Sequence, residues 1–193
     1  MRPPLVVVIA GPNGAGKSTT APFLLREGLA VEEFVNADPI AQGLSALRPD
    51  SVAIAAGRVM LARLEDLADA SRDFAFETTL ASRTFGPRLR SLQSAGYRVH
   101  VCSLSLSSAD LAVARVAERV RMGGHDVPEA VVRRRFAAGL TNFFTIYRDI
   151  AASWQIYDNS GTGVPRLVAS RGEGESLEIL DSEVWTHRSE IWR

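Results

Sequence analysis

Short apolar runs alternate with amphipathic stretches along most of this chain, and that alternation sets its architecture. Leu5-Val6-Val7-Val8-Ile9-Ala10 is too short for a helix core and reads as a buried strand. A helix is predicted over residues 17–28, closing near Gly28. Pro22 lies inside it beyond the first turn, where it removes one hydrogen bond and should bend the axis. Glu33-Phe34-Val35-Asn36-Ala37-Asp38 is predicted as a second strand that turns polar at its end and is stopped by Pro39. Val52, Ala56, Val59, Met60, Leu64 and Leu67 recur at helical spacing, which predicts a long helix over 50–72. Phe74-Ala75-Phe76-Glu77-Thr78-Thr79 is the third strand, again polar at its carboxyl end. A helix over 85–95 follows, interrupted near its start by Gly86-Pro87 and stopped by Gly96. Residues 97–106 form the fourth strand, and Ser107 or Ser108 caps a helix that runs to about Arg121.

Gly123-Gly124 then makes a hinge. Asp126 and Glu129 stand at capping-box spacing, with Pro128 in the first turn of the helix they open. That helix carries Arg133-Arg134-Arg135 and continues through Phe136, Leu140, Phe143, Phe144 and Ile146 toward Trp154. Strands are predicted over 155–159, 166–169 and 177–180. The turn Gly172-Glu173-Gly174-Glu175 joins the last two as a hairpin, and a short helix over 184–192 ends the chain. Strands alternating with helices predict an α/β fold, with a mostly parallel central sheet between helical layers. No linker, repeat or low-complexity segment divides residues 1–193, so a single domain is expected.

Composition adds exclusions. Hydrophobic residues make up 46% and charged residues 23%, ordinary for a globular chain. The formal net charge is zero, which disfavours a nucleic-acid partner. Cys102 is the one cysteine and lies in an apolar run, where a buried, inert thiol is expected. The first apolar run is too short for a signal peptide and no stretch reaches membrane-span length, so a cytoplasmic protein without a membrane partner is expected.

The chemistry begins at Gly11-Pro12-Asn13-Gly14-Ala15-Gly16-Lys17-Ser18, between the first strand and the first helix. It fits G-x-x-x-x-G-K-[ST] in the strand–turn–helix context such a phosphate-binding loop requires. The glycines let backbone N–H groups turn inward, and the helix N-terminus adds partial positive charge. Lys17 is placed to reach the outer phosphates, the Ser18 hydroxyl to hold Mg²⁺, and Thr19 continues the nucleotide-binding stretch. Of the 22 lysines and arginines, Lys17 is the sole lysine. A slim ammonium fits a tight phosphate cradle where a planar guanidinium does not.

Two more polar clusters end strands: Asn36-Ala37-Asp38 and Glu77-Thr78-Thr79. In an open parallel sheet such ends converge on the ligand. Asp38 is either the carboxylate that takes a proton from an acceptor hydroxyl or the residue that opens a turn before Pro39. Glu77 stands as an acceptor-side group or a metal-side acid. Thr78 and Thr79 either contact a polar substrate or serve as β-branched strand residues. The fourth strand ends in Leu104-Ser105-Leu106 with no acid, which leaves metal binding to Ser18 with Asp38 or Glu77. Arg115, Arg119, Arg121, Arg133, Arg134 and Arg135 surround the hinge with His125, as a phosphate-binding lid or a solvated face. Helical residues stand about 100° apart, so the three consecutive arginines do not share one direction.

As an ordered set, these residues resemble the zeta toxin family of P-loop kinases. The likeness rests on residues 11–18, Asn36-Ala37-Asp38, Phe76-Glu77-Thr78-Thr79, Gly123-Gly124-His125-Asp126-Val127-Pro128 and Tyr157-Asp158-Asn159-Ser160. It implies a P-loop NTPase-like three-layer sandwich with a helical arginine-bearing lid near 108–135. It also implies transfer of the γ-phosphate of ATP or GTP, with Mg²⁺, to a hydroxyl of a small molecule, UDP-N-acetylglucosamine in the toxins. On this resemblance Lys17 matches the phosphate-loop lysine and Asp38 the base. Arg119, with Arg133 or Arg134, occupies the stretch that supplies phosphate-binding arginines, while Asn36, Glu77, Thr78, Thr79 and His125 face the acceptor. The toxins pair with a small antitoxin protein, so such a partner is implied too. Other acceptors, such as a sugar acid or an antibiotic, and a nucleotide-dependent switch are the competing readings.

Overall fold

The sheet is built around its most apolar strand. The computed structural model describes residues 2–190, and within it β1 (Leu5–Ala10) is buried on both faces, with Val6, Val7, Val8, Ile9 and Ala10 all at 0% exposure. A strand with no polar face must have neighbours on both edges and helices on both sides. Here β3 (Phe74–Thr78) and β4 (Arg98–Ser105) flank it in parallel. The seven strands run in the order β2-β3-β1-β4-β5-β6-β7, with β2 at Glu33–Val35, β5 at Ser153–Asp158, β6 at Arg166–Arg171 and β7 at Glu178–Ile179. The first five in that order are parallel; β6 and β7 are antiparallel and form the expected hairpin.

Period-two alternation divides the core. Val6, Val8 and Ala10 pack with Met60, Leu64, Leu67, Leu89, Phe143 and Phe144. Val7 and Ile9 face Ala21, Leu25 and Val31 on the opposite side. The first layer is α3 (Ala53–Asp69), α4 (Phe85–Ser94) and the end of α6 (Glu129–Asn142); the second is α1 (Lys17–Phe23). A third apolar cluster joins Ala15 of the glycine loop to Leu104, Ala112, Val116 and Val132, and seats α5 (Ala109–Arg121) and α6 against that loop. Burial pushes the Cys102 thiol up to about 12, so no thiolate forms near neutral pH.

The departures from expectation have local causes. Pro39 does not stop a strand: β2 ends at Val35, and Asn36 caps a helix, α2 (Ala37–Leu44), by accepting from the Asp38 N–H at 2.9 Å. Proline is tolerated in a first turn, where its missing N–H has no intrahelical acceptor. The same rule lets α4 run through Gly86 and Pro87 without interruption. Past Pro22 the first helix passes into a π-helical turn, Leu24–Leu29, and ends on Ala30 in the left-handed region. A 3₁₀ turn, Pro49–Val52, precedes α3, which ends at Asp69. Ser108, not Ser107, caps α5, its hydroxyl accepting from the Leu111 N–H. The Asp126–Glu129 capping box does not form: Pro128 is the cap residue and no side chain bonds the first turn. Helix α6 gives way to a π-helical turn, Phe143–Tyr147, and a last short helix, α7 (Arg148–Ile150), before β5. The C-terminal helix, α8, spans Ser182–Glu190; the predicted positions 191 and 192 lie outside the described residues.

Candidate active site

Strand register brings the three polar clusters to one place. Ile9 lies opposite Glu77 and Ala10 opposite Thr78, so β3 delivers its acid where the glycine loop leaves β1. Gly11 has φ 144, and a Cβ there would stand 2.3 Å from the Leu104 carbonyl oxygen, so no side chain fits. Residues 14 and 16 are likewise left-handed, at φ 78 and 79. Asn159 holds the loop from β5, its Nδ2 donating to the Ala15 carbonyl at 2.8 Å.

Lys17 is 7% exposed. Its Nζ donates to the Pro12 carbonyl at 3.1 Å and lies 3.5 Å from Glu77 Oε1. Burial lowers the lysine's pKa; Glu77 and Asp38 oppose that shift, and Arg119 adds to it. Glu77 is the hub of the site. Its Oε2 accepts from Ser18 Oγ at 2.8 Å and from Asn36 Nδ2 at 2.8 Å, and the same Asn36 nitrogen lies 3.4 Å from Ser18 Oγ. Asn36 therefore caps α2 with its oxygen and orients Glu77 with its nitrogen.

These groups open onto a cavity of about 340 Å³, whose lining includes Asn13, Gly14, Gly16, Lys17, Ser18 and Thr19 on one side and Asn36, Asp38, Glu77, Thr78 and Thr79 on another. Asp38 also borders a smaller cavity of about 60 Å³, with His125, Gln42 and the small side chains of α2 and α3. The Asp38 carboxylate accepts no hydrogen bond among the described residues. The Thr78 and Thr79 hydroxyl oxygens accept from the Leu80 and Ala81 N–H groups at 3.1 and 3.4 Å, fixing the loop that leaves β3.

Arginines complete the third wall. Arg119 lines the cavity, and its Nη2 donates to the His125 carbonyl at 2.6 Å while its Nε is buried without a hydrogen-bond partner. Of the three consecutive arginines, Arg135 reaches the cavity, with Nη1 3.5 Å from Asn13 Oδ1. Arg134, the one favoured from sequence, is exposed and absent from the lining. Arg133 turns to Glu129 and Asp110, at 2.8 and 2.6 Å, on the surface. The signal was present in the sequence. Val132 and Gly139 are buried and fix the inward face of α6, and Arg135 lies three residues from one and four from the other. Arg115 also lines the cavity, but its guanidinium donates to the carbonyls of Asn159, Ser160 and Gly161 and braces the loop after β5.

No group of three or more His, Cys, Asp or Glu side chains among the described residues forms a metal cage. Ser18 Oγ beside a Glu77 oxygen is instead a hard-oxygen pair, which suits Mg²⁺, an ion that draws its other ligands from phosphates and water. No helix among the described residues is long and apolar enough to cross a membrane.

Comparison with known proteins bears on the fold and the family. A protein of Haemophilus influenzae, described only as uncharacterized, is 28% identical over 130 residues, covering 67% of this chain and 91% of its own length. Among solved structures, AvrRxo1-ORF1 in complex with AvrRxo1-ORF2 superposes with TM-score 0.75 at 15% identity over 99% of this chain. This chain spans 64% of that one, which has also been solved with ATP. The PezAT chromosomal toxin–antitoxin system of Streptococcus pneumoniae matches with TM-score 0.64 at 13% identity, over 98% of this chain and 86% of that one. These likenesses establish the fold. A model of the zeta toxin family matches residues 2–164, and the chain belongs to that family.

Proposed function

We propose that this chain is a kinase that transfers the γ-phosphoryl group of ATP or GTP to a hydroxyl of a small molecule. The observation that carries the reading is that Lys17 and Asp38 line one cavity, the first in the glycine loop and the second on α2. The loop N–H groups, Lys17, Arg119 and Arg135 would hold the triphosphate. Ser18 and Glu77 would hold Mg²⁺, which when bound neutralises charge on the β- and γ-phosphates. Asp38 accepts the acceptor's hydroxyl proton. The hydroxyl oxygen forms a bond to the γ-phosphorus, the bond from that phosphorus to the β–γ bridging oxygen breaks, and the nucleoside diphosphate leaves with the electron pair. Arginines on α5 and α6 then face the charge that develops on the transferred group.

UDP-N-acetylglucosamine is the acceptor that family resemblance brings forward, and an antitoxin is the protein partner it brings forward. The test is to incubate the purified chain with γ-labelled ATP and Mg²⁺, with and without candidate acceptors. Label appearing on an acceptor hydroxyl supports the reading. Phosphate release at a rate that no acceptor changes would point to a nucleotide-dependent switch instead.

A further inference from the structure

The C-terminal helix reaches the donor side of the site through one buried arginine. Trp185 and Arg188 stand three positions apart on α8 and so share a face. Trp185 stacks on Trp154 of β5, with ring centroids 5.9 Å apart and planes 5° from parallel, which docks the helix. Arg188 then runs inward, its side chain 3% exposed. Its Nη1 donates to the Ser107 carbonyl just past β4 at 3.3 Å, and its Nη2 to Asp158 Oδ1 at the end of β5 at 3.4 Å. The same side chain borders a cavity of about 20 Å³ with Gly11 and Pro12 of the glycine loop and Ser103 and Ser105 of β4.

Such a pair is a costly way to hold a helix. Both charges leave water, and the attraction between them returns little net stability. The Arg188 Nε is buried without a hydrogen-bond partner among the described residues, and burial lowers the guanidinium's pKa. Arg166 lies 3.7 Å from the other Asp158 oxygen, but it is exposed and stands closer to Asp181, at 3.0 Å. What the Arg188 pair does hold is the loop after β5. Asp158 Oδ1 also accepts from Ser160 Oγ at 2.6 Å. Between those two residues, Asn159 donates to the Ala15 carbonyl, and its Nδ2 stands 2.7 Å from where a Cβ on Gly16 would lie. The carbonyls of Asn159, Ser160 and Gly161 in turn hold the guanidinium of Arg115, which lines the larger cavity. Contacts therefore run without a gap from α8 to the loop that would cradle a triphosphate.

We propose that Arg188 is a positioning residue for the nucleotide. By fixing Asp158 it sets Asn159 and Ser160, and through them the glycine loop and Arg115. The inference rests on the reading of that loop as the phosphate-donor site. It gives α8, which begins beyond the residues matched to the family, a part in donor binding. Arg188 touches no reacting atom, so its effect falls on ATP affinity and not on the chemical step.

The test is calorimetric titration of ATP with Mg²⁺ into the native chain, Arg188→Met and Arg188→Lys, alongside their denaturation midpoints. Methionine keeps an apolar stem and removes both hydrogen bonds. It should raise the Kd for ATP about tenfold, with turnover at saturating ATP within about threefold. Lysine keeps a charge for Asp158 but not the fork that also reaches Ser107, and should raise Kd about threefold. Asn159→Ala should raise Kd as well. Adding Arg188→Met to it should then weaken binding less than Arg188→Met does in the native chain, because both act on one loop. An unchanged Kd in a folded Arg188→Met variant makes the arginine a stabiliser of α8 alone and overturns the inference, as do effects of the two variants that simply multiply. Should Arg188→Met not fold, Arg188→Lys decides: a lowered midpoint with native ATP affinity overturns the inference, and a raised Kd supports it. A native chain that binds no ATP overturns the donor reading and the inference with it. A Kd that Arg188→Met raises, in a chain that phosphorylates no acceptor, supports the inference while the kinase reading fails.

Discussion

Ser18 and Glu77 are 59 positions apart in the chain, yet the Ser18 hydroxyl donates to Glu77 Oε2 at 2.8 Å. The pairing follows from β3 lying beside β1 with Ile9 opposite Glu77. It places an acid against the residue expected to hold the metal, and the same acid stands 3.5 Å from the buried Lys17 ammonium. If Glu77 serves the metal side, Glu77→Gln should raise the Mg²⁺ concentration needed for tight ATP binding by about tenfold to a hundredfold. Calorimetric titration of ATP at several Mg²⁺ concentrations measures this. An unchanged Mg²⁺ requirement would move Glu77 to the acceptor.

The arginines separate by the face of α6 they occupy. Arg135→Ala should lower phosphoryl transfer by about tenfold to a thousandfold, because it removes a cation lining the cavity where the kinase reading places the transferred group. Arg134→Ala and Arg133→Ala should stay within about twofold, since the first is exposed and the second pairs with Glu129 and Asp110 at the surface. Steady-state rates of the three variants at saturating ATP decide the assignment.

Gly139 lets α6 approach the loop after β3. A Cβ there would stand 2.3 Å from the Thr79 carbonyl oxygen, and that oxygen belongs to backbone that cannot swing away. Gly139→Ala should therefore destabilise the fold by about 1–3 kcal/mol, against the usual gain from replacing a helical glycine. Chemical denaturation of the two proteins reads the difference.

His100 on β4 is 8% exposed and bonds Ser153 Oγ through Nδ1 at 2.7 Å. Burial lowers its pKa from 6.5 to about 4, with a hydrogen bond to the Gln155 side chain opposing the shift and Arg98 adding to it. The native state thus holds a neutral imidazole while the unfolded chain takes up a proton first as pH falls. The stability this group contributes is complete above pH 6.5 and is lost as pH drops toward 4, about 3 kcal/mol in all. Denaturation midpoints at pH 7 and pH 4.5 should lie closer together for His100→Gln than for the native chain.

How much of this was legible in the sequence depended on distance along the chain. The glycine loop is contiguous, and its strand and helix flank it directly, so its residues could be named in advance. The parallel core followed from apolar runs too uniform to have a solvent face. The role of Glu77 was left open because an acid's neighbours depend on strand order, and no local pattern says which strand lies beside β1. At Pro39, strand-like residues and a proline suggested a stop, but Asn36 as a cap decided the local structure and turned Asp38 into the first turn of a helix. Which of the three consecutive arginines lines the cavity could not be read from the run of charge itself, because the helix face is set by Val132 and Gly139.

The measurement that bears most directly on the kinase reading compares the native chain with Asp38→Asn for ATP binding and for phosphoryl transfer to an acceptor that takes label from γ-labelled ATP. The account predicts ATP affinity within about twofold and transfer reduced by about a hundredfold to ten-thousandfold, because the amide keeps the shape but cannot take the proton. Full transfer activity in Asp38→Asn would contradict it.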